Sequence, residues 1–132
     1  MKRLMVVDTS VVLAVLLGEP QKRRLEALTQ GVDLMAPLSL KWEVGNALSA
    51  MFKRKMISLR ECERALNAFY EIPIQFVDID LFSALKICHE YSVYAYDAYM
   101  IICSQKREVP LLTLDTTLKS VAQKCLVETP EV

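Results

Sequence analysis

The sequence predicts an α/β fold, a three-layer α/β/α sandwich around a mostly parallel central sheet of four to five strands. Three observations predict it. Short apolar runs alternate with longer segments of helical period, so successive strands are joined by crossovers and run parallel, with helices on both faces. The 132 residues are 53% hydrophobic and 24% charged, enough apolar material for one ordinary core. No repeat, low-complexity tract or Pro/Gly/Ser-rich linker divides the chain, so residues 1–132 read as one domain.

Leu4–Val7 is a short apolar run broken by Asp8 and reads as a buried strand. Helical stretches follow over 11–17 and 20–29, with Pro20 suited to a first turn. Residues 32–36 form the second strand, stopped by Pro37. Ser39 is placed to cap a helix running to about Lys55, in which Val44, Ala47, Leu48, Met51 and Phe52 share helical spacing. Ser58 and Glu61 fit a capping box for the next helix. Residues 72–77 are the third strand, and Pro73 suggests a sheet edge. Asp78 or Asp80 opens a helix with Leu81, Ala84, Leu85 and Cys88 on one apolar face. A helix over 95–106, a strand over 110–114 ending at Asp115 and a helix over 116–123 follow, and residues 125–127 suggest a last short strand.

Composition removes several chemistries. Gly18, Gly31 and Gly45 lie too far apart for a P-loop or a GxGxxG fingerprint. His89 stands alone, which excludes a multi-His zinc site, and no GxSxG elbow supports a serine triad. Cys62, Cys88, Cys103 and Cys125 form no CxxC pair and read as free thiols of a reducing, cytoplasmic compartment. Lys2-Arg3 before an apolar run imitates a secretion signal. However, Asp8 interrupts that run, and the ten uncharged residues after it fall short of the roughly 20 a membrane span needs, so no membrane role is expected.

Carboxylates carry the remaining chemistry. In open parallel sheets, sites form beyond the carboxyl ends of the strands, where Asp8 and Asp115 stand. A helix N-cap explains either one singly; the pair is harder to explain that way. Glu43 lies mid-helix in LKWEVGNAL, and Asp97 lies in the first turn of a helix whose next eight residues carry no charge. Four acids gathered together repel and raise one another's pKa, a penalty that a divalent cation reverses. Magnesium prefers such oxygen ligands together with water and phosphate, and it can activate water against a phosphodiester.

VVDTSVVLAVLLGEP, WEVGNAL, YDAYMIICS and LLTLDTTL occur in this order from Val6 to Leu118. Together they resemble the PIN domain family and, more narrowly, the VapC-type toxins of prokaryotic toxin–antitoxin pairs. The resemblance implies an endoribonuclease dependent on Mg2+ or Mn2+, often a homodimer, inhibited by a cognate antitoxin. It maps Asp8, Glu43, Asp97 and Asp115 onto the family's catalytic, metal-holding acids, and Ser10 and Thr113 onto supporting hydroxyls. Two alternatives stay open: an RNA-processing nuclease of the same family without an antitoxin, and a non-catalytic module that binds RNA or protein. A phosphoryl-transfer domain with a nucleophilic Asp8 fits less well, because DTS lacks the second acid of a DxD start.

Several features have ordinary explanations. Lys22-Arg23-Arg24 and Lys53-Arg54-Lys55, with Arg60 and Arg64, read first as solvated helix faces and helix-end charges, and second as phosphate contacts. Tyr91, Tyr94, Tyr96 and Tyr99 read as core or dimer surface before base-stacking platforms. Asp78 and Asp80 read as caps. The chain's 16 basic and 16 acidic residues cancel, but residues 1–66 carry 11 and 7 and residues 67–132 carry 5 and 9. Four acids assigned to one pocket leave a mildly basic remainder for an anionic substrate such as RNA.

Overall fold

The computed structural model describes residues 3–132; Met1 and Lys2, the start of the predicted domain and of its signal-like basic pair, lie outside the described residues. Among the described residues eleven elements follow in the order β1 (Arg3–Val7), α1 (Thr9–Leu16), α2 (Lys22–Thr29), β2 (Val32–Pro37), α3 (Leu40–Lys53), α4 (Leu59–Glu71), β3 (Ile74–Val77), α5 (Leu81–Tyr91), α6 (Ala95–Arg107), β4 (Leu111–Leu112) and α7 (Thr116–Lys124). The four strands form one parallel sheet in the order β3-β2-β1-β4, within the predicted number.

That order decides where a site can form. The chain moves outward from β1 through β2 to β3, then returns past β1 to place β4 on its other side. Right-handed crossovers therefore put α1–α4 on one face and α5 and α6 on the other, and α6 packs directly on β1, β2 and β4. The reversal between β1 and β4 opens a crevice at their carboxyl ends, the usual place for a site in an open parallel sheet. Its floor is dry: Val6, Val7, Met35, Ala36, Ile101, Leu111 and Leu112 are all buried in one hydrophobic cluster.

Local sequence rules explain most element ends. Ser58 accepts from the Glu61 amide and the Glu61 carboxylate accepts from the Ser58 amide, both at 3.1 Å, which is the predicted capping box of α4. Ser58→Ala is expected to cost about 1 kcal/mol, read as a lower urea midpoint with an unchanged m-value. Asp80, not Asp78, caps α5 by accepting from the Ser83 amide. Gly18 sits at φ +66, where the chain turns out of α1, and the Glu19–Gln21 turn delays α2 to Lys22 rather than Pro20. Pro73 precedes β3, an edge strand as expected.

Three expectations need correction. Residues 125–127 form no strand: Cys125 closes α7 and Leu126 turns left-handed at φ +63. The Val127 amide then bonds back to Ala122. Only Glu128 reaches the sheet, its carbonyl accepting from the Leu111 amide at 2.9 Å. On α5 the buried face is Ala84 and Ile87, whereas Leu81, Phe82 and Leu85 stay exposed, because α5 meets the body of the protein mainly through α6. Ser39 does not cap α3; its backbone is already helical, and its hydroxyl turns elsewhere. The four cysteines are free, with Cys62 and Cys103 buried and Cys88 and Cys125 half-buried. Among the described residues no helix is long and apolar enough to cross a membrane.

Candidate active site

Asp8 ends β1 and caps α1, so one residue both closes a buried strand and opens a helix. Its carboxylate, 5% exposed, is held on every side. Oδ1 accepts from Ser10 Oγ at 2.6 Å and from the Val11 amide at 3.1 Å, and Oδ2 accepts from Thr113 Oγ1 at 2.6 Å. Both hydroxyls act twice. Ser10 Oγ also accepts from the Leu114 amide at 3.0 Å, and Thr113 Oγ1 from the Asp115 amide at 3.0 Å. Two short side chains thus tie the loop after β1 to the loop after β4, with the Asp8 carboxylate as the common acceptor.

The other three acids come from separate elements. Asp115 caps α7, its Oδ1 accepting from the Thr117 and Leu118 amides at 2.9 and 3.0 Å. Asp97 stands in the first turn of α6, the helix laid across the sheet. Glu43, in the first turn of α3 rather than mid-helix, accepts from Thr9 Oγ1 at 3.1 Å and from Ser39 Oγ at 3.2 Å. Thr9 and Ser39 are supporting hydroxyls that sequence reasoning missed. Thr9 adjoins Asp8, but its link to Glu43 spans 34 positions. Ser39 had a sufficient local explanation as a cap.

Asp8, Glu43 and Asp97 each feel the charge of at least one other of these acids. Burial pushes the Asp8 carboxyl up despite its three hydrogen bonds, and the Asp115 charge adds to the rise. Burial raises Glu43 to about 7, with Asp8 and Asp97 contributing. Asp97 is raised by burial, then by Asp115 and Asp8. Every charge identified as acting on these three groups belongs to another member of the quartet. Such a set is unfavourable in its fully ionised form without a cation.

A pH dependence follows. Glu43 binds its proton more tightly folded than unfolded, so its contribution to stability is full below about pH 4.5 and is lost as pH rises through about 7. Asp8 and Asp97 act in the same direction. The metal-free protein should therefore melt lower at about pH 8 than at about pH 5. Glu43→Gln should recover on the order of 1 kcal/mol at the higher pH, allowing for solvent screening at this half-buried group. Thermal melts in a chelator across that range check both expectations; a Glu43→Gln curve parallel to wild type would contradict them.

The sequence profile of the PIN domain matches residues 5–124. The chain belongs to the PIN domain family. The same fold appears in solved structures at low identity. PAE2754 of Pyrobaculum aerophilum superposes with a TM-score of 0.74 at 17% identity, covering 96% of this chain and 83% of that one. VapC20 of Mycobacterium tuberculosis, described as a sarcin–ricin-loop-cleaving toxin, superposes at 0.63 with 12% identity, covering 88% of this chain and 93% of that one. A toxin–antitoxin complex of Klebsiella pneumoniae gives 0.60 at 14% identity, covering 85% and 87%. A comparison with curated proteins finds no match. In this PIN domain Asp8 and Asp115 stand beyond the carboxyl ends of β1 and β4, where the sheet reverses its winding, and Glu43 and Asp97 lie within electrostatic reach of Asp8.

Proposed function

We propose that this PIN domain is a divalent-metal-dependent endoribonuclease, the toxin of a toxin–antitoxin pair, with Asp8, Glu43, Asp97 and Asp115 as its working acids. The observation that carries the reading is the burial of Asp8, Glu43 and Asp97 within electrostatic reach of other acids of the four, with hydroxyls that hold Asp8 in place at the end of β1. The donors are hard oxygens, the chemistry that Mg2+ and Mn2+ accept. Among the described residues no three His, Cys, Asp or Glu side chains form a ready ligand cluster. The fit is therefore to an ion held by one or two carboxylates that keeps water and takes substrate phosphate. Asp8 and Asp97 would hold it, and Glu43 and Asp115 would bind its waters or a second ion. When bound, such an ion neutralises the scissile phosphate and acidifies a water.

The chain's own residues do the rest. Ser10 and Thr113 hold the Asp8 carboxylate in one orientation, so little reorganisation is needed when substrate arrives. Thr9 and Ser39 fix both oxygens of the Glu43 carboxylate, which would orient the attacking water or hold a water of the ion. Water attacks in line, leaving a 5′-phosphate and a 3′-hydroxyl. Free cysteines suit the reducing cytoplasm. An antitoxin partner is supported by the Klebsiella neighbour, itself a toxin–antitoxin complex. The exposed Phe82 and Leu85 on α5 suit a homodimer contact.

The deciding experiment is sequencing of RNA 5′ ends after induced expression, beside cleavage by purified protein with Mg2+, Mn2+ or chelator. A toxin gives a few sharp metal-dependent sites and growth arrest relieved by its antitoxin. A defined precursor end without arrest would favour the processing nuclease, and the absence of any metal-dependent cleavage would leave only a binding module.

A further inference from the structure

A cavity lies beside Glu43. It has a volume of about 370 Å³ and lies between the ends of β2 and β3 and helix α6, with Leu38, Ser39, Trp42, Asp78, Leu81 and Tyr99 in its wall. Ser39 joins it to the site, since the same residue donates its hydroxyl to Glu43 Oε2 at 3.2 Å. Its two aromatic residues differ: Tyr99 packs partly against the core, and Trp42 does not. Trp42 is 66% exposed although it precedes Glu43 in the first turn of α3. Tyr99 is half-buried, two residues from Asp97 in α6, and braced edge-on by Tyr96 at a centroid distance of 5.9 Å and an angle of 78°. Lys41 does not line this cavity, but its ammonium lies 5.2 Å from the Trp42 ring centroid and 5.8 Å from that of Tyr70, so a cation stands beside the outer side of the tryptophan. Asp78 uses Oδ1 for the Ile79 amide at 2.9 Å, and no bond to its Oδ2 is seen among the described residues.

We propose that this cavity binds one unpaired base of the RNA substrate, with Trp42 and Tyr99 as stacking surfaces, Asp78 reading its Watson–Crick edge and Lys41 meeting the adjoining phosphate. The proposal rests on the nuclease reading and names a specificity subsite for it. The volume is that of a small-ligand site. Aromatic rings take up splayed single-stranded bases and a neighbouring cation takes the backbone. A carboxylate only accepts hydrogen bonds, so it prefers an edge rich in donors. Guanine offers two adjacent donors, N1–H and N2–H, whereas uracil offers one. Guanine is the base this wall selects.

Trp42 is the only tryptophan in the chain, so its fluorescence carries no contribution from a second indole, and the Tyr99 and Asp78 variants assign the response to this cavity. Wild-type protein in chelator is titrated with guanosine and uridine 5′-monophosphates, which require no cleavage. Saturable quenching is expected, tighter for the guanosine nucleotide by about fivefold or more. Tyr99→Ala should weaken both about tenfold. Asp78→Asn should erase the preference and, in active protein, relax base choice at one position beside the cut. Nuclease activity without any response of Trp42 to either nucleotide overturns the subsite and leaves the nuclease reading standing. Selective quenching in a protein that cuts no RNA does the reverse. A dimer that Trp42→Ala converts to monomer, with no nucleotide response, assigns the surface to a second copy and also overturns the proposal.

Discussion

Asp8→Asn is expected to lower metal-dependent RNA cleavage by about 1,000-fold or more while leaving the metal-free protein as stable as wild type or slightly more so. The two halves of this result have one cause. The Asp8 carboxylate is buried and its ionisation is opposed by its surroundings, so losing the charge relieves the fold. Asparagine keeps the geometry: its oxygen can still accept from Ser10 Oγ and the Val11 amide, and its amide can donate to Thr113 Oγ1 in place of the bond it loses. Asparagine is also a good N-cap for α1. What disappears is the anionic oxygen available to a cation. Melts with and without Mg2+ provide the second readout, because an ion bound only to the native state stabilises it and the variant should lose that increment. Undiminished cleavage by contaminant-free Asp8→Asn would sink the assignment.

Thr113→Val is expected to lose about 2–3 kcal/mol of stability, more than Ser58→Ala, with cleavage falling as well. Valine matches threonine in shape, so no cavity forms and only hydrogen bonding changes. The hydroxyl donates to Asp8 Oδ2 and accepts from the Asp115 amide, and the side chain is 4% exposed. Its removal strands a buried carboxylate oxygen and a part-buried amide. It also unties one of the two links between the β1 and β4 loops, leaving Ser10 to hold both alone. Thr113→Ser restores the hydroxyl and should recover most of the loss, with the remainder reporting the missing methyl. Urea unfolding of the three proteins separates these terms. Wild-type stability in Thr113→Val would show that the hydroxyl bridge contributes nothing.

Much of this was legible in one dimension. Asp8 and Asp115 were conspicuous because each ends an apolar run, where an uncompensated charge is costly. Ser58 and Glu61 declared the start of α4 because a capping box is a contact over three residues. Less accessible were the features whose partners lie far along the chain. Ser39 has good cap chemistry, yet its hydroxyl bonds the Glu43 side chain. Leu81 and Leu85 repeat like a buried stripe, yet α5 turns Ala84 and Ile87 inward, because its neighbour α6 and not its own periodicity sets which face is covered. The tyrosines divide in the same way: Tyr94 is exposed, Tyr91 and Tyr99 are half-buried, and only Tyr96 and Tyr99 form a ring pair.

By itself the sequence determined the alternation of strands and helices, the parallel sense of the sheet and the acids that interrupt its apolar runs. These depend on local chain chemistry, where periodicity, capping and the cost of a misplaced charge act over a few residues. Only the tertiary structure decided that β4 lies beside β1 and not beyond β3. That single pairing brings Thr113 to Asp8 across 105 positions and sets Asp115 within electrostatic reach of Asp8. Strand order is a long-range choice, set by which buried faces pack together, and no short stretch of residues carries it.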